Sequence, residues 1–121
     1  MSGIIRYDIN EEWAHSGIIE AGDFVYVGYC VGNIGNTIEK QIEGALDHLE
    51  SRLKIVGIGL ESVVQMDCLF RDIWNIPIME AVFKKRFKGS YPVRKSIQTE
   101  FAHRGGDDGL HFQLDAVAYK N

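Results

Sequence analysis

Residues 24–56, FVYVGYCVGNIGNTIEKQIEGALDHLESRLKIV, contain a strand, a turn and a helix in direct succession. Phe24 to Val31 is a nearly continuous β-branched and aromatic run, which is typical of a central strand buried on both faces. From Thr37 onwards, apolar residues recur at intervals of three and four, which indicates an amphipathic helix. These residues are Ile38, Ile42, Ala45, Leu46, Leu49, Leu53 and Val56. Asn36 is the predicted N-cap of this helix.

The flanking sequence predicts further strands and one more helix. Three segments alternate between apolar and polar residues, as half-buried strands do: Ser62–Phe70, Val93–Phe101 and Leu110–Tyr119. A helix beginning near Pro77 separates the first two, and Ile4 to Asp8 is a candidate first strand. The predicted order is β-(β)-β-α-β-α-β-β within a single domain of residues 1–121. One sheet with two helices on one face, an α+β architecture, accommodates this order.

The face of the sheet away from the helices is predicted to be half polar and half apolar. Its predicted members are Arg94, Gln98, Glu100, Gln113, Asp115 and Asp67, beside Val63, Leu69 and Val117. An exposed mixed face of this size on a small domain suggests that another subunit covers it.

Composition and charge argue against several classes of protein. A formal net charge of −4 over 121 residues disfavours nucleic-acid binding, which usually needs clustered cations. No apolar run is long enough to span a bilayer, and the N-terminus lacks the pattern of a secretory signal, so a cytoplasmic location is expected. Cys30 and Cys68 lack metal-ligand spacing and are expected to be buried, reduced thiols. The glycine- and aspartate-rich segment Arg104–Gly109 is expected to be a mobile loop.

Two groups of residues carry a resemblance to a known family. The first is Gln41…Ala45-Leu46…Leu49…Leu53…Gly59-Leu60-Glu61-Ser62-Val63-Val64…Leu69-Phe70-Arg71-Asp72. The second is Met79-Glu80-Ala81-Val82-Phe83…Phe87…Tyr91-Pro92-Val93-Arg94. In order and spacing they resemble the Rid (YjgF/YER057c/UK114) family, over nearly the whole chain.

The resemblance implies a chorismate-mutase-like fold and a homotrimer whose sheets form a central barrel with ligand clefts between subunits. It also implies hydrolysis of small carboxylated enamines or imines to a keto acid and ammonia, without a cofactor. Two alternatives stay open, which are a non-catalytic trimer that binds a small carboxylate and a ribonuclease or translation inhibitor.

The family's Pro-x-Arg motif, which holds the substrate carboxylate, is matched by Pro92-Val93-Arg94. A guanidinium fork suits this task because it donates two parallel hydrogen bonds to a carboxylate. The alternative is that Arg94 only pairs with Glu100 or Asp115. Ser96, two residues on, is expected on the same side as a second substrate-binding residue.

The sequence departs from the family pattern at four places. Gln113 replaces the glutamate that activates water, and an amide can only position water or an imine nitrogen. Asp115 faces the same way but lies about 7 Å further along the strand. His15 replaces a cleft-closing tyrosine and can transfer protons, although an exposed loop histidine is the alternative. Gly28-Tyr29-Cys30 replaces Ser-Gly-Gln, which makes Tyr29 a candidate substrate-binding residue, and Glu80 replaces an asparagine.

Overall fold

Six strands form one mixed sheet in the computed structural model, which describes residues 3–101 and 109–121. The strands are β1 (Ile4–Asn10), β2 (His15–Ala21), β3 (Phe24–Cys30), β4 (Val63–Phe70), β5 (Val93–Gln98) and β6 (Phe112–Tyr119). The helices are α1 (Ile38–Ile55) and α2 (Ile76–Phe87). In space the strands lie in the order β1-β2-β3-β6-β4-β5, with β4 and β5 parallel and the other neighbours antiparallel.

Both helices contribute to one apolar cluster with the same face of the sheet. The strand residues of the cluster include Val25, Val27, Met66, Cys68, Phe70, Phe112, Leu114, Ala116 and Ala118. The helix residues include Ile42, Leu46, Leu49, Leu53, Met79, Val82, Phe83 and Phe87. Full burial of each large apolar side chain stabilises the fold by about 1.5–3 kcal/mol. The predicted α+β architecture, with one mixed sheet and two helices, is confirmed.

Helix α1 starts one residue later than the sequence pattern predicts. Its N-cap is Thr37, whose hydroxyl accepts a hydrogen bond from the Lys40 amide at 3.3 Å. Asn36 instead accepts a hydrogen bond from the Thr37 amide, because its side chain is one residue too far from Lys40 to cap the first turn.

A close backbone approach holds α1 against the turn that follows β3. A Cβ atom on Gly44 would lie 2.8 Å from the carbonyl carbon of Gly32, so only glycine fits at this contact. The buried side chain of Gln41 joins the same turn to the start of β6. It donates hydrogen bonds to the carbonyls of Asn36 and Gly109 and accepts one from the His111 amide.

The open face of the sheet differs from the predicted one. Because β5 runs parallel to β4, Arg94 lies beside the core residue Met66 and Gln98 beside Phe70, which places both on the helix side. Gln98 accepts a hydrogen bond from the Ile73 amide, just before α2. The predictions that Arg94 and Gln98 lie on the open face are therefore wrong.

Two further predictions for this face need correction. Val63 is buried and Val64 is 43% exposed, because the register of β4 against β6 shifts between Val63 and Gln65. Glu100 lies beyond the end of β5 and pairs with Arg71 at 3.2 Å.

The remaining members of the open face form opposed pairs on β4 and β6. These are Asp67 with Asp115, Leu69 with Gln113, and Gln65 with Val117.

Most of the predicted loop at 104–109 falls outside the described residues. Within the described ranges, no helix is long and apolar enough to cross a membrane.

Candidate functional site

A pocket of about 360 Å³ lies on the helix side of the sheet, between α2 and the start of β5. Glu80, Phe83 and Lys84 line it from α2, and Tyr91, Pro92 and Arg94 line it from the segment that leads into β5. The pocket therefore combines an aromatic wall with two cationic groups and one carboxylate.

Arg94 is already engaged by a carboxylate of its own chain. One guanidinium nitrogen donates to Glu80 at 2.8 Å, and the other donates to the Ser96 hydroxyl at 3.3 Å. The prediction that Ser96 shares a side with Arg94 is confirmed, whereas the alternative partners Glu100 and Asp115 are wrong. The side chains of Arg94 and Glu80 are 32% and 46% exposed, so solvent reaches this ion pair. An incoming carboxylate must share the guanidinium with Glu80 or displace it.

A second cavity, of about 340 Å³, lies on the open face. It is lined by His15, Ser16, Ile19, Tyr26, Gly28, Tyr29 and Asp115. His15 is the first residue of β2 rather than a loop residue, and its ring meets the ring of Tyr29 edge-on at 5.7 Å. The structure thus brings His15 and Tyr29 together and adds a carboxylate to them.

Two polar groups of this cavity lack partners. The Nε2 atom of His15 is buried without a hydrogen bond. Within residues 3–101 and 109–121, the Asp115 carboxylate has neither a hydrogen-bond nor an ion-pair partner. Burial raises the pKa of the Asp115 carboxyl, and the neighbouring Asp67 carboxylate raises that pKa further. Buried polar groups are normally satisfied, so the unbonded Nε2 atom of His15 is unusual, and the Asp115 carboxylate lines the same cavity.

Arg52 supports the wall of this cavity from behind. Its buried guanidinium bonds the carboxylate of Asp8 at 3.0 Å and the carbonyl oxygens of Gly28 and Tyr29. Sequence reasoning missed this residue, although its signal was available, since Arg52 falls three residues after Leu49 on the apolar stripe of α1.

The two cavities lie on opposite faces of the same sheet. Arg94 and Ser96 belong to the helix-side pocket, whereas His15, Tyr29 and Asp115 line the cavity on the open face. Gln113 is on the open face beside Leu69 and lines neither cavity. One chain alone therefore cannot place the guanidinium of Arg94 next to His15 or Gln113.

Thiol chemistry is not available at these sites. Cys30 and Cys68 are buried and free, and burial raises the pKa of each thiol to about 12. The thiolate that would act as nucleophile or metal ligand is thus negligible at neutral pH. The described part of the chain also contains no group of three His, Cys, Asp or Glu side chains arranged to hold a metal ion.

Comparison with known proteins identifies the family. The chain is 64% identical to a hypothetical protein from Streptococcus pyogenes M1 GAS that is described as a member of the highly conserved yjgF family. The two structures superpose with a TM-score of 0.93 over 98% of each chain. This chain belongs to the YjgF family. The resemblance seen in the sequence motifs is confirmed.

A more distant relative of the same family agrees in fold, and a second one is similar in sequence. Rv2704 from Mycobacterium tuberculosis, of the YjgF/YER057c/UK114 family, is 25% identical, with a TM-score of 0.81 over 96% of this chain and 98% of its own. The RutC family protein UK114 of Drosophila melanogaster is 27% identical over 81 residues, which are 61% of this chain and 59% of that protein. The match thus spans less than two thirds of the curated relative. No family profile matches the chain.

Proposed function

We propose that this YjgF-family protein is a hydrolytic deaminase that converts small carboxylated enamines or imines into a keto acid and ammonia. The observation that carries the proposal is the pair of half-sites on opposite faces of the sheet. One offers a solvent-accessible guanidinium for a carboxylate, and the other offers unpartnered proton-transfer groups. Hydrolysis of an imine that carries a carboxylate needs both kinds of group at once.

The proposal includes assembly as a homotrimer, in which the open face of one subunit meets the helix-side pocket of the next. Phe24, Tyr26, Tyr119 and Val93 are between 42% and 71% exposed, although aromatic and β-branched residues of a sheet are normally covered. Contact between copies would bury them and bring Arg94 of one subunit to the His15 cavity of its neighbour. Two buried, reduced cysteines are in keeping with a cytoplasmic location.

In this site, Arg94 and Ser96 hold the substrate carboxylate and Tyr29 packs against the substrate. His15 transfers a proton, and Gln113 orients the attacking water. No cofactor takes part in the proposed reaction. The amide of Gln113 cannot accept the proton of the attacking water, so that proton must go elsewhere.

A second candidate is a trimer that binds a small carboxylate without hydrolysing an imine. One observation favours it, which is the amide at Gln113, because no glutamate at that position can activate water. The net charge of −4 disfavours the third alternative, which is RNA cleavage.

One experiment separates the two candidates. A threonine dehydratase generates 2-iminobutyrate in the assay mixture, and the release of 2-oxobutyrate is followed with and without this protein. The solution mass of the protein should be three times 13.7 kDa. We expect faster release with the protein present. Unchanged release, together with calorimetric binding of 2-oxobutyrate, would identify a binding protein and reject the deaminase.

The Glu80→Gln variant tests whether Glu80 competes for the proposed carboxylate site. Removing the acid frees one edge of the Arg94 guanidinium, so 2-oxobutyrate should bind more tightly. An exposed ion pair contributes up to about 1 kcal/mol, so the expected gain in affinity is up to about fivefold, measured by calorimetry at low salt.

Glu43→Gln is the matched control for this measurement. It removes the same charge from an ion pair of another arginine, Arg86, and leaves Arg94 untouched. Equal affinity changes in Glu80→Gln and Glu43→Gln would mean that overall charge, rather than competition at Arg94, controls binding.

A further inference from the structure

The cavity on the open face contains a carboxylate for which the fold provides no structural partner. Asp115 projects from β6 between β3 and β4 and is only partly exposed. It takes part in no ion pair or hydrogen bond with any described residue. Because no cation or donor of the described fold holds it, this carboxylate is available to a ligand.

The backbone of β3 leaves room for this carboxylate. A Cβ atom on Gly28 would lie 2.9 Å from Oδ1 of Asp115, so any larger residue would push the carboxylate aside. Arg52 holds the carbonyls of Gly28 and Tyr29 from the opposite side of the segment. The chain thus keeps an open space at Asp115 and fixes the wall around it.

The groups that face Asp115 come from three neighbouring strands and from β5 beyond them. Asp67 opposes it across β4, and like charges in this position repel each other. Tyr26 and Tyr29 of β3 and His15 of β2 line the same cavity. Lys95 of β5 lies beyond Asp67 in the same row of the sheet. No cation of the described chain pairs with Asp115, so a proton or a substrate can reach it.

We propose that Asp115 is the acid–base catalytic residue of the deaminase reaction, accepting the proton of the attacking water that Gln113 cannot take. This inference rests on the proposed function and adds to it a residue that replaces the missing glutamate. It also narrows the substrate class to imines in their protonated, iminium form, because a carboxylate beside the reacting carbon favours a cation.

In the proposed reaction, Asp115 accepts a proton twice and releases it twice. An O–H bond of water breaks, its proton passes to the Asp115 carboxylate, the oxygen bonds to the iminium carbon, and the C=N electron pair moves to nitrogen. Asp115 then returns the proton to the amino nitrogen of the resulting amino alcohol. The C–N bond breaks, ammonia leaves with the electron pair, and the hydroxyl forms the keto group as its proton passes to Asp115 and from there through His15 to solvent. An enamine enters after its β-carbon has taken a proton from solvent.

The test compares the pH–rate profiles of the wild type, Asp115→Asn and Asp67→Asn in the dehydratase-coupled assay. Asp115→Asn should lower the rate by about a hundredfold or more, the usual contribution of a general base, while 2-oxobutyrate still binds in calorimetry. Asp115→Glu should restore part of the rate. Asp67→Asn should move the acid limb to lower pH, because it removes a like charge that raises the pKa of Asp115.

Each outcome decides between defined possibilities. A wild type without activity rejects the proposed function and this assignment together. An active wild type with an equally active Asp115→Asn rejects the assignment alone. If thermal melting shows that Asp115→Asn does not fold, the pH–rate profile of Asp67→Asn replaces it as the test. An acid limb at the same pH as in the wild type would then reject the assignment of Asp115 as the acid–base residue.

Discussion

Replacement of Arg52 by methionine is expected to lower the free energy of unfolding by about 2–4 kcal/mol, because two part-buried carbonyl oxygens lose their donor at about 1–3 kcal/mol each and the half-exposed Asp8 loses its ion pair. Arg52 is 7% exposed. The substitution would leave the carboxylate of Asp8 and the carbonyl oxygens of Gly28 and Tyr29 without their donor. Methionine fills much of the volume of the arginine stem, so the lost stability reflects the hydrogen bonds more than the packing.

Urea denaturation followed by circular dichroism measures this change, at one protein concentration because association shifts apparent stability. Lys54→Met is the matched control, since Lys54 lies on the same helix and is exposed. The control should unfold within about 0.5 kcal/mol of the wild type. A loss in Arg52→Met no greater than in Lys54→Met would show that the arginine does not hold the cavity wall.

Replacement of Arg94 by alanine is expected to weaken binding of 2-oxobutyrate by at least about thirtyfold, or 2 kcal/mol, as is usual when one partner of a hydrogen-bonded charge pair is removed. The alanine variant also leaves Glu80 facing the same pocket, so the remaining charge repels the ligand. Fold stability should change little, because the Arg94–Glu80 pair is partly exposed.

Two variants give this measurement its controls. Arg94→Lys keeps the positive charge but loses the planar fork, so its affinity should fall between those of the wild type and the alanine variant. Lys85→Ala removes an exposed cation of α2 that does not line the pocket, and it should bind normally. Normal binding by Arg94→Ala would overturn the carboxylate assignment.

Sequence periodicity predicted most of the fold because burial sets the alternation in a strand and the stripe on a helix. It located β4, β6 and α1 closely. It did not show that Val63 rather than Val64 is buried, because a register shift depends on the partner strand.

The candidate site was predicted less completely, for a related reason. Alternation divides β5 into two faces, but only the parallel pairing with β4 decides which face meets the helices, and so Arg94 was placed on the wrong side. The partner of Arg94 could not be predicted either, because Glu80 reaches it from another element. The space beside Asp115 depends on the lack of a Cβ at Gly28, a contact between strands that sequence spacing does not encode.

The division of polar groups between the two faces of the sheet has a genetic consequence. In the proposed assembly, each catalytic centre takes one face from one polypeptide and the opposite face from its neighbour. A gene copy altered at Arg94 and another altered at Asp115 would each encode an inactive protein by itself. Expressed together, the two alleles would form mixed oligomers in which some centres receive both intact halves, so the defects would complement each other.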